Sequence, residues 1–365
     1  MAAVVRRWRW AVVVVGVLML SSLPAVVRHW PLGVASIAPD ELARRIRASA
    51  AQPFSGNVAT VGRLGLPDIP RLDNEVSLLG ETSRLRTWYA GPTSWRVDML
   101  SLTGEHDMYA SGNSIVTWDS ADRRAERTVD SGQLHLPRPA DMLPPQLGRM
   151  LVGAATPQEL RPLEPVRVAG RAVPGLRIVP VAEVSTIDHV DVWAEAGSGL
   201  PLRVAVTARG GTFPLVESQF LDVSLARPDP SSVTFSPAAG VSIQRPRRSD
   251  PLQQALRRAP VPLPDQIAGL PRLTPPGAGV AVYGRGFVVV VAAAVPPDLL
   301  NSVLPRLVET SKRPWGAEVK LIQTPMVNLM AGTLADVGYL LAGPVTVAEL
   351  DRIVSSVAAG AGAFA

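Results

Sequence analysis

The chain has 365 residues, a formal net charge of +5 at pH 7 and no cysteine. This length accommodates about two domains, and the absence of cysteine excludes disulfide bonds, a thiolate nucleophile and a cysteine-ligated metal site. No long lysine or arginine tract follows the N-terminal region. The composition therefore argues against nucleic-acid binding.

The N-terminal segment, residues 1–28, predicts a membrane anchor. Arg6, Arg7 and Arg9 precede an apolar run over residues 11–27, which as a helix reaches about 25 Å, near the lower limit for a bilayer core. Basic residues before the run favour a cytoplasmic N-terminus. The sequence thus predicts a single-pass protein of the cell membrane with an extracytoplasmic ectodomain. A cleaved signal peptide is the alternative, and it would export the same ectodomain.

A mostly β domain is predicted over residues 39–226. It begins with an amphipathic helix at Pro39, because proline suits a first helical turn and acidic residues follow it. Leu42, Ile46 and Ala50 form the apolar stripe of this helix. The stripe favours packing against a sheet over binding to a membrane surface.

Alternating apolar and polar residues around short turns predict antiparallel hairpins in the rest of this domain. In the first hairpin Trp95, Val97 and Met99 face one way, and Arg96 and Asp98 face the other. The predicted pairs are 84–89 with 95–99, 107–109 with 115–118, and 189–193 with 202–207, followed by a strand over 213–225. Many strands joined by short turns are typical of an antiparallel sheet that curves into a partial barrel.

A proline-rich segment interrupts these strands. It contains a helical candidate over residues 141–151, in which Met142 and Leu147 belong to the apolar side and Pro144 and Pro145 restrict the start. One interpretation is a packed connector. The other is a flap over a groove in the sheet, where methionine adapts to variable apolar ligands.

The composition changes after residue 226. Residues 227–279 are rich in proline and weakly periodic, which predicts an interdomain linker. A small α+β domain is predicted over residues 280–365. Its elements are a strand pair over 279–295, a helix over 298–308, a strand within 332–341 and a final helix over 347–357 with Val347, Leu350, Ile353, Val354 and Val357 inward.

No pattern of catalytic or metal-binding residues emerges from the sequence. The four histidines are scattered, without an HExxH motif or a pair at ligand spacing. The Glu105-His106-Asp107 triplet could orient an imidazole, but on an exposed hairpin such a triplet is typical of solvated groups. Gly197-Ser198-Gly199 does not satisfy GxSxG and fits a hairpin turn. We therefore expect no enzymatic activity, no metal site and no cofactor.

Several short motifs, taken in order, resemble the RseB/MucB family. They include Val168-Ala169-Gly170-Arg171, Asp191-Val192-Trp193-Ala194, Gly199-Leu200-Pro201-Leu202-Arg203 and Glu217-Ser218-Gln219-Phe220. Trp88-Tyr89-Ala90-Gly91-Pro92 is similar to lipoprotein carriers of the LolA type, and the combination looks like the actinobacterial group of the LolA/RseB superfamily. The C-terminal unit, with Val282-Tyr283-Gly284-Arg285-Gly286, resembles the second domain of RseB.

The resemblance implies an α+β fold with a half-open antiparallel β-barrel, a helical plug or lid and a small C-terminal α+β domain. It also implies binding of acyl chains or extended apolar peptides and, in RseB-type proteins, control of a membrane-bound anti-sigma factor. In this chain Val184-Ser185-Thr186-Ile187 replaces the family's usual Arg-Tyr element, which leaves the role of that segment open. Members are typically soluble after export, whereas this chain carries a predicted anchor.

The preferred hypothesis is a membrane-anchored extracytoplasmic protein that binds the acyl chains of a lipid or lipoprotein and regulates envelope-stress (sigma/anti-sigma) signalling. The expected partners are that ligand, an anti-sigma factor or other membrane protein, and the membrane itself through residues 11–27. The alternatives are a lipid or lipoprotein carrier or acceptor of the LolA type, and a protein-interaction module with a closed core. The candidate groove-lining residues are Trp88, Trp95, Trp118, Met142, Leu147, Trp193 and Phe220.

Overall fold

The computed structural model describes most of the chain after residue 36. The described ranges are 37–65, 78–101, 104–130, 135, 137–237, 240–244, 263–275, 279–295, 309–312, 318–334 and 337–361. The predicted anchor over residues 11–27 and the predicted helix over 298–308 lie outside these ranges. Within them, no helix is both long enough and apolar enough to cross a bilayer.

The larger part of the structure is one sheet of twelve strands with helical segments against it. The strands are β1 (Phe54–Gly62), β2 (Thr82–Gly91), β3 (Ser94–Leu100), β4 (Glu105–Ser111), β5 (Ser114–Asp119), β6 (Arg124–Val129), β7 (Leu160–Val168), β8 (Arg171–Ile178), β9 (Ile187–Ala194), β10 (Pro201–Ala208), β11 (Val216–Ser224) and β12 (Ile243–Gln244). The helices are α1 (Pro39–Ala48) and α2 (Pro144–Ala154), with 3₁₀ turns at Ser49–Ala51, Pro139–Met142, Pro157–Glu159 and Pro230–Val233. The predicted fold class, an α+β fold that is mostly β-sheet, is confirmed.

Helix α1 forms where the sequence predicts it. Pro39 occupies its first turn, and Leu42 and Ile46 are fully buried. The predicted stripe is wrong at its last position, because the helix tightens into a 3₁₀ turn after Ala48 and leaves Ala50 exposed. Ala43 is buried on the same side of the helix.

The predicted hairpins are confirmed in position. β2 pairs with β3, β4 with β5, and β9 with β10, all antiparallel. The turn between β4 and β5 contains Gly112 at φ 63°, a left-handed conformation that favours glycine. Short turns thus join strands that are neighbours in sequence, as the alternation predicts.

The long sheet is open, and the expected half-open barrel is corrected on this point. Its strand order is β12-β6-β5-β4-β3-β2-β1-β11-β10-β9-β8-β7, and the two outer strands do not pair with each other. Strand β7 contains Pro162 and Pro165, which have no N–H to donate to a further strand. These prolines are typical of an edge strand and oppose closure.

The range predicted as a linker contains ordered elements that contact the long sheet. Arg227 Nη1 donates a hydrogen bond to the Ala90 carbonyl at 3.0 Å. The ring of Phe235 lies edge-on to Tyr109 at 5.2 Å, and β12 pairs in parallel with β6. This part of the chain therefore covers one face and one edge of the sheet.

The second sheet has six strands in the order β15-β16-β20-β19-β18-β17 and carries the C-terminal helix. Its strands are β15 (Val280–Arg285), β16 (Val288–Val295), β17 (Glu309–Lys312), β18 (Glu318–Gln323), β19 (Asn328–Leu334) and β20 (Val337–Gly343), and its helix is α3 (Val347–Ala361). A small hairpin of β13 (Gln266–Ile267) and β14 (Leu270–Pro271) precedes them.

The elements predicted for the small domain are partly confirmed. The strand pair over 279–295 is present as β15 and β16. The strand predicted within 332–341 is present as β20, and the end of β19 lies in the same range and pairs with β20 as a hairpin. Helix α3 buries Leu350, Ile353 and Val354, while the side chain of Val357 lies outside the described residues.

The segment Val184-Ser185-Thr186-Ile187 connects the two sheets. Thr186 N donates to the Pro344 carbonyl at 3.0 Å, and Thr346 N donates to the Val184 carbonyl at 2.8 Å. Ser185 is fully buried and forms an isolated bridge with Val345. The segment whose role the sequence left open therefore contributes to the contact between the small domain and the long sheet, together with Phe287 and Met326, which pack in the same core.

Candidate functional site

One face of the long sheet, which we call the inner face, carries an aromatic and aliphatic cluster. Phe54 stacks on Tyr89 with ring centroids 4.8 Å apart and meets Phe220 edge-on at 5.7 Å. Strand register sets this arrangement, because Tyr89 pairs with Phe54 on one side and with Trp95 on the other. Alternation of side chains along each strand then brings every second residue to this face.

A helical segment covers the inner face. This lid consists of the 3₁₀ turn Pro139–Met142 and helix α2. Leu143 between them is extended, since Pro144 follows it and disfavours helical geometry in the preceding residue. The predicted helix over 141–151 is therefore present as two pieces with a break at Leu143.

The lid divides its apolar side chains between two cores. Ala140 and Leu143 contact the cluster around Phe54, whereas Met142 and Leu147 contact the core formed with helix α1. The hydroxyl of Ser218 donates a hydrogen bond to the Met142 carbonyl at 2.6 Å. Among the described residues, this is the hydrogen bond that joins the lid to the sheet. Arg47 of helix α1 also donates to the Val152 carbonyl of the lid at 2.8 Å.

Helix α2 approaches the sheet closely at Gly148. A β-carbon there would lie 2.8 Å from Cβ of Pro201 and 3.3 Å from Val204, whereas Gly153 on the same helix has open space around it. We expect Gly148→Ala to lower the free energy of unfolding by about 1–3 kcal/mol through overpacking. We expect Gly153→Ala to raise it by up to about 1 kcal/mol through helix propensity.

Chemical denaturation of the two variants tests this assignment of the lid's contact face. A stabilised Gly148→Ala protein would contradict the close approach of helix and sheet. Gly153→Ala is the matched control, since it makes the same change one turn and a half later on an open side of the helix.

The seven predicted lining residues do not share one surface. Trp95 and Phe220 lie on the inner face, and Met142 and Leu147 lie on the lid above it. Trp193 is buried in the same aromatic cluster, where its Nε1 donates to the Glu164 carbonyl at 3.0 Å.

Trp88 and Trp118 lie on the opposite face of the sheet, which we call the outer face. Trp88 pairs with Arg96 in register, one residue out of phase with Trp95, so the two tryptophans point to opposite sides. The ring centroid of Trp118 lies 6.2 Å from that of Phe235, which belongs to the range predicted as a linker. A single groove cannot be lined by all seven residues.

The outer face holds a buried ion-pair network that the sequence predicted only as polar alternation. Arg96 donates to both oxygens of Asp98, at 2.5 and 2.7 Å, and Asp98 is fully buried. The Arg96 guanidinium lies between the rings of Trp88 and Tyr109, 4.9 and 4.8 Å from their centroids. Cation–π contacts and charged hydrogen bonds thus hold the same side chain.

Three carboxylates in this network, those of Asp98, Glu105 and Asp107, approach one another closely enough to consider a metal ion. Arg86 Nη2 is 2.8 Å from Glu105 and 3.5 Å from Asp98, and Arg96 pairs with Asp98 and Asp107. The two guanidinium groups already neutralise most of the negative charge. The arrangement therefore has the chemistry of an internal ion-pair network.

Asp107 provides a pH-dependent prediction. Burial raises the pKa of Asp107 to about 6, and the nearby Asp98 and Glu105 act in the same direction, while Arg96 and Arg86 oppose them. Because the folded pKa lies above the unfolded value, this residue's contribution to stability is full below pH 4 and is lost as pH rises through 6. We expect Asp107→Asn to be about 1–3 kcal/mol more stable than the native chain at pH 7.5, with the difference vanishing near pH 4.

Thermal unfolding measured between pH 4 and 8 checks this expectation. A difference between native and Asp107→Asn proteins that does not change with pH would contradict it, because only a proton-linked cost varies in this range. The covering of the outer face by Phe235, far along the chain, explains why sequence alternation alone does not reveal this buried charge.

Comparison with known proteins gives similar structures and no sequence match. No protein-family model and no curated protein matches the chain. The similar solved structures include MucB in complex with MucA(peri), at 15% identity and TM-score 0.48, covering 87% of this chain and 97% of that one.

A second complex, of Pseudomonas aeruginosa MucA/MucB, has 16% identity and a TM-score of 0.47, covering 86% of this chain and 96% of that one. A LolA superfamily protein from Nitrosomonas europaea has 11% identity and a TM-score of 0.23, covering 55% of this chain and 99% of that one. MucB and LolA-superfamily proteins are thus among the structures that this chain resembles, as its motifs predict. The actinobacterial grouping stays a prediction.

Proposed function

We propose that this protein is a membrane-anchored extracytoplasmic binding protein whose lid moves aside to admit the acyl chain of a lipid or lipoprotein. The occupied state would be passed to a membrane partner, such as an anti-sigma factor, and would thereby regulate an envelope-stress response. The role proposed is binding and regulation rather than catalysis. Residues 11–27 would keep the ectodomain beside the bilayer that supplies the ligand.

The attachment of the lid carries this proposal. Leu143 and Leu147 rest on apolar surface, and within the described part of the chain the Ser218–Met142 hydrogen bond alone links the lid to the sheet. Apolar packing has no fixed direction, so an acyl chain can replace the lid's own contacts at about 25 cal/mol per Å² buried. The extended Leu143 between two proline-bounded pieces supplies a hinge.

A disulfide lock tests the movement of the lid. Since the native chain has no cysteine, Gly148→Cys with Pro201→Cys offers a single possible disulfide between helix α2 and β10. The β-carbons would need to separate from 2.8 Å to the usual spacing of about 3.8 Å, a small adjustment. We expect the oxidised protein to exclude a fluorescent fatty acid and the reduced protein to bind it.

The reduced form is the control within the same sample, because it carries both substitutions. Equal uptake by the oxidised and reduced proteins would contradict a lid that must move. Failure of both forms and of the native chain to bind any acyl probe would contradict ligand binding as a whole.

A second candidate, a protein-interaction module with a closed core, is favoured by one observation. Phe54, Leu85, Leu143 and Phe220 are each at most 2% exposed, so side chains fill the space beneath the lid. In-cell crosslinking of the native chain distinguishes the two. A discrete protein partner captured equally with and without acyl ligand would favour the closed module.

A further inference from the structure

Arg149 lies on the lid helix and has no counter-ion within the part of the chain that the structure describes. Its Nη1 atom is buried and has no hydrogen-bond partner, and among the described residues its guanidinium group forms no ion pair. Burial lowers the pKa of Arg149 below its usual value. A buried guanidinium N–H without an acceptor is costly, which makes such a group unusual in a structural role.

The other arginines around the helices contrast with Arg149. Arg45 pairs with Glu41 at 2.7 Å. Arg47 donates to the carbonyls of Val152 and Ala155, at 2.8 and 3.1 Å, and so satisfies the C-terminal end of α2. Arg45 and Arg47 thus have partners for their guanidinium groups, whereas Arg149 has no ion pair and no acceptor for Nη1 among the described residues.

Tyr89 is the charged or titratable group that interacts with Arg149. Its hydroxyl donates to the Ala50 carbonyl at 2.7 Å, and burial raises the pKa of Tyr89 above its ordinary value near 10. The phenol is therefore neutral at physiological pH. It supplies no negative charge to balance the arginine.

Gln146 lies one turn before Arg149, and its Oε1 atom is also buried without a partner. Residues three apart share one side of a helix, so the two polar groups are neighbours. A glutamine amide can be turned to present its NH₂ group instead of its oxygen. Together the two side chains can offer several N–H donors to one acceptor.

We infer that Arg149 and Gln146 form a subsite for an anionic phosphate or carboxylate group at the head of an amphiphile. The inference rests on the proposed acyl-chain binding beneath the lid. A guanidinium presents paired N–H donors whose spacing matches both anions. The anion would restore the hydrogen bonds and the charge balance that Arg149 lacks.

The surroundings favour an amphiphile over a free ion. Tyr89, which interacts electrostatically with Arg149, stacks on Phe54 in the apolar cluster of the inner face. A phosphate or carboxylate at Arg149 would therefore lie beside that apolar cluster. This arrangement fits a charged head with an attached hydrocarbon chain.

Matched probes separate the head from the chain. The full-length protein, held in an amphipathic polymer, is titrated with decyl phosphate, decanol and inorganic phosphate. We expect decyl phosphate to bind at least tenfold more tightly than decanol, and inorganic phosphate to bind weakly and to compete only at high concentration. Comparable affinity for inorganic phosphate and decyl phosphate would show that the site binds free phosphate, and it would overturn the inference that the ligand is an amphiphile.

Variants test the residue. Arg149→Leu should lose the tenfold preference for decyl phosphate but keep the affinity for decanol, and Arg149→Lys should keep part of the preference. Without ligand, Arg149→Leu should melt at the same temperature as the native chain or higher, because a costly buried charge is removed. A lower melting temperature together with unchanged probe affinities would assign Arg149 a structural role and overturn the inference.

Arg44→Leu is the control, since Arg44 is exposed and pairs only with Glu41 among the described residues. It should leave all affinities unchanged. If the native chain binds neither decanol nor decyl phosphate, the proposed function fails. If it binds both equally and Arg149→Leu changes nothing, the subsite alone fails.

Discussion

Replacing Arg96 with alanine is expected to lower the free energy of unfolding by about 3–5 kcal/mol, because it leaves the fully buried Asp98 without its two charged hydrogen bonds. Arg86, 3.5 Å from Asp98, compensates only in part. The loss of the cation–π contacts with Trp88 and Tyr109 adds to the cost. Urea denaturation of the native and variant proteins measures the difference.

Two controls make this result specific. Arg203→Ala removes a similar stack on Trp193 and an ion pair with Glu217, but Glu217 keeps some access to water, so we expect a loss of about 1–2 kcal/mol. The double variant Arg96→Ala with Asp98→Ala should be more stable than Arg96→Ala alone. If the loss of the double variant equals the sum of the losses of Arg96→Ala and Asp98→Ala, the buried ion pair is not the source of the effect.

Truncating Phe54 to alanine is expected to cost about 3–5 kcal/mol, the usual loss for a fully buried phenylalanine. The change removes a stacked contact with Tyr89 and an edge-on contact with Phe220, and it leaves a cavity beneath Leu143 of the lid. Thermal and chemical denaturation both report the loss. A cost below about 1 kcal/mol would mean that Phe54 already borders open space.

Phe213→Ala is the matched control for this truncation. Phe213 is 56% exposed, and the Arg63 guanidinium lies 6.0 Å from the centroid of its ring. We expect a change within about 0.5 kcal/mol. The same substitution at a buried and at an exposed phenylalanine shows how much of the stability loss comes from burial of the ring.

Local patterns in the sequence predict the hairpins and the first helix because each depends on residues close together in the chain. Trp95, Val97 and Met99 alternate with Arg96 and Asp98, and the structure places the two sets on opposite faces as expected. Pro39 and the acidic residues after it define the start of α1. The helix of the lid was predicted for the same reason, since its prolines and apolar residues are contiguous, although the sequence left open whether it is a connector or a flap.

Features that depend on distant segments could not be predicted in this way. Asp98 is buried because its alternate face is covered, in part by chain that returns around Phe235. The docking of Ser185 against Val345 joins segments 160 residues apart in number. The residues next to Asp98 and Ser185 in the sequence do not indicate that either side chain is covered by a distant segment.

The candidate site shows the same limit. Trp88 and Trp95 were both predicted to line a groove because tryptophan is apolar, yet strand register puts them on opposite faces. Gly148 and Arg149 were absent from the predicted site. Gly148 matters because of its close approach to Pro201, and Arg149 because its buried Nη1 has no partner among the described residues. Neither property belongs to a sequence motif.

The most direct test of the account is the identity of whatever the protein carries from its native membrane. A protease site placed after residue 33 would release the ectodomain after purification and leave the lipids around the predicted anchor behind. Residues 36–365 form one compact unit, so the released protein can be analysed intact. Solvent extraction and mass spectrometry should then find about one acyl-bearing molecule per chain, with a narrower composition than the bulk membrane. An ectodomain free of such a molecule, and unable to bind a fluorescent fatty acid, would contradict the account.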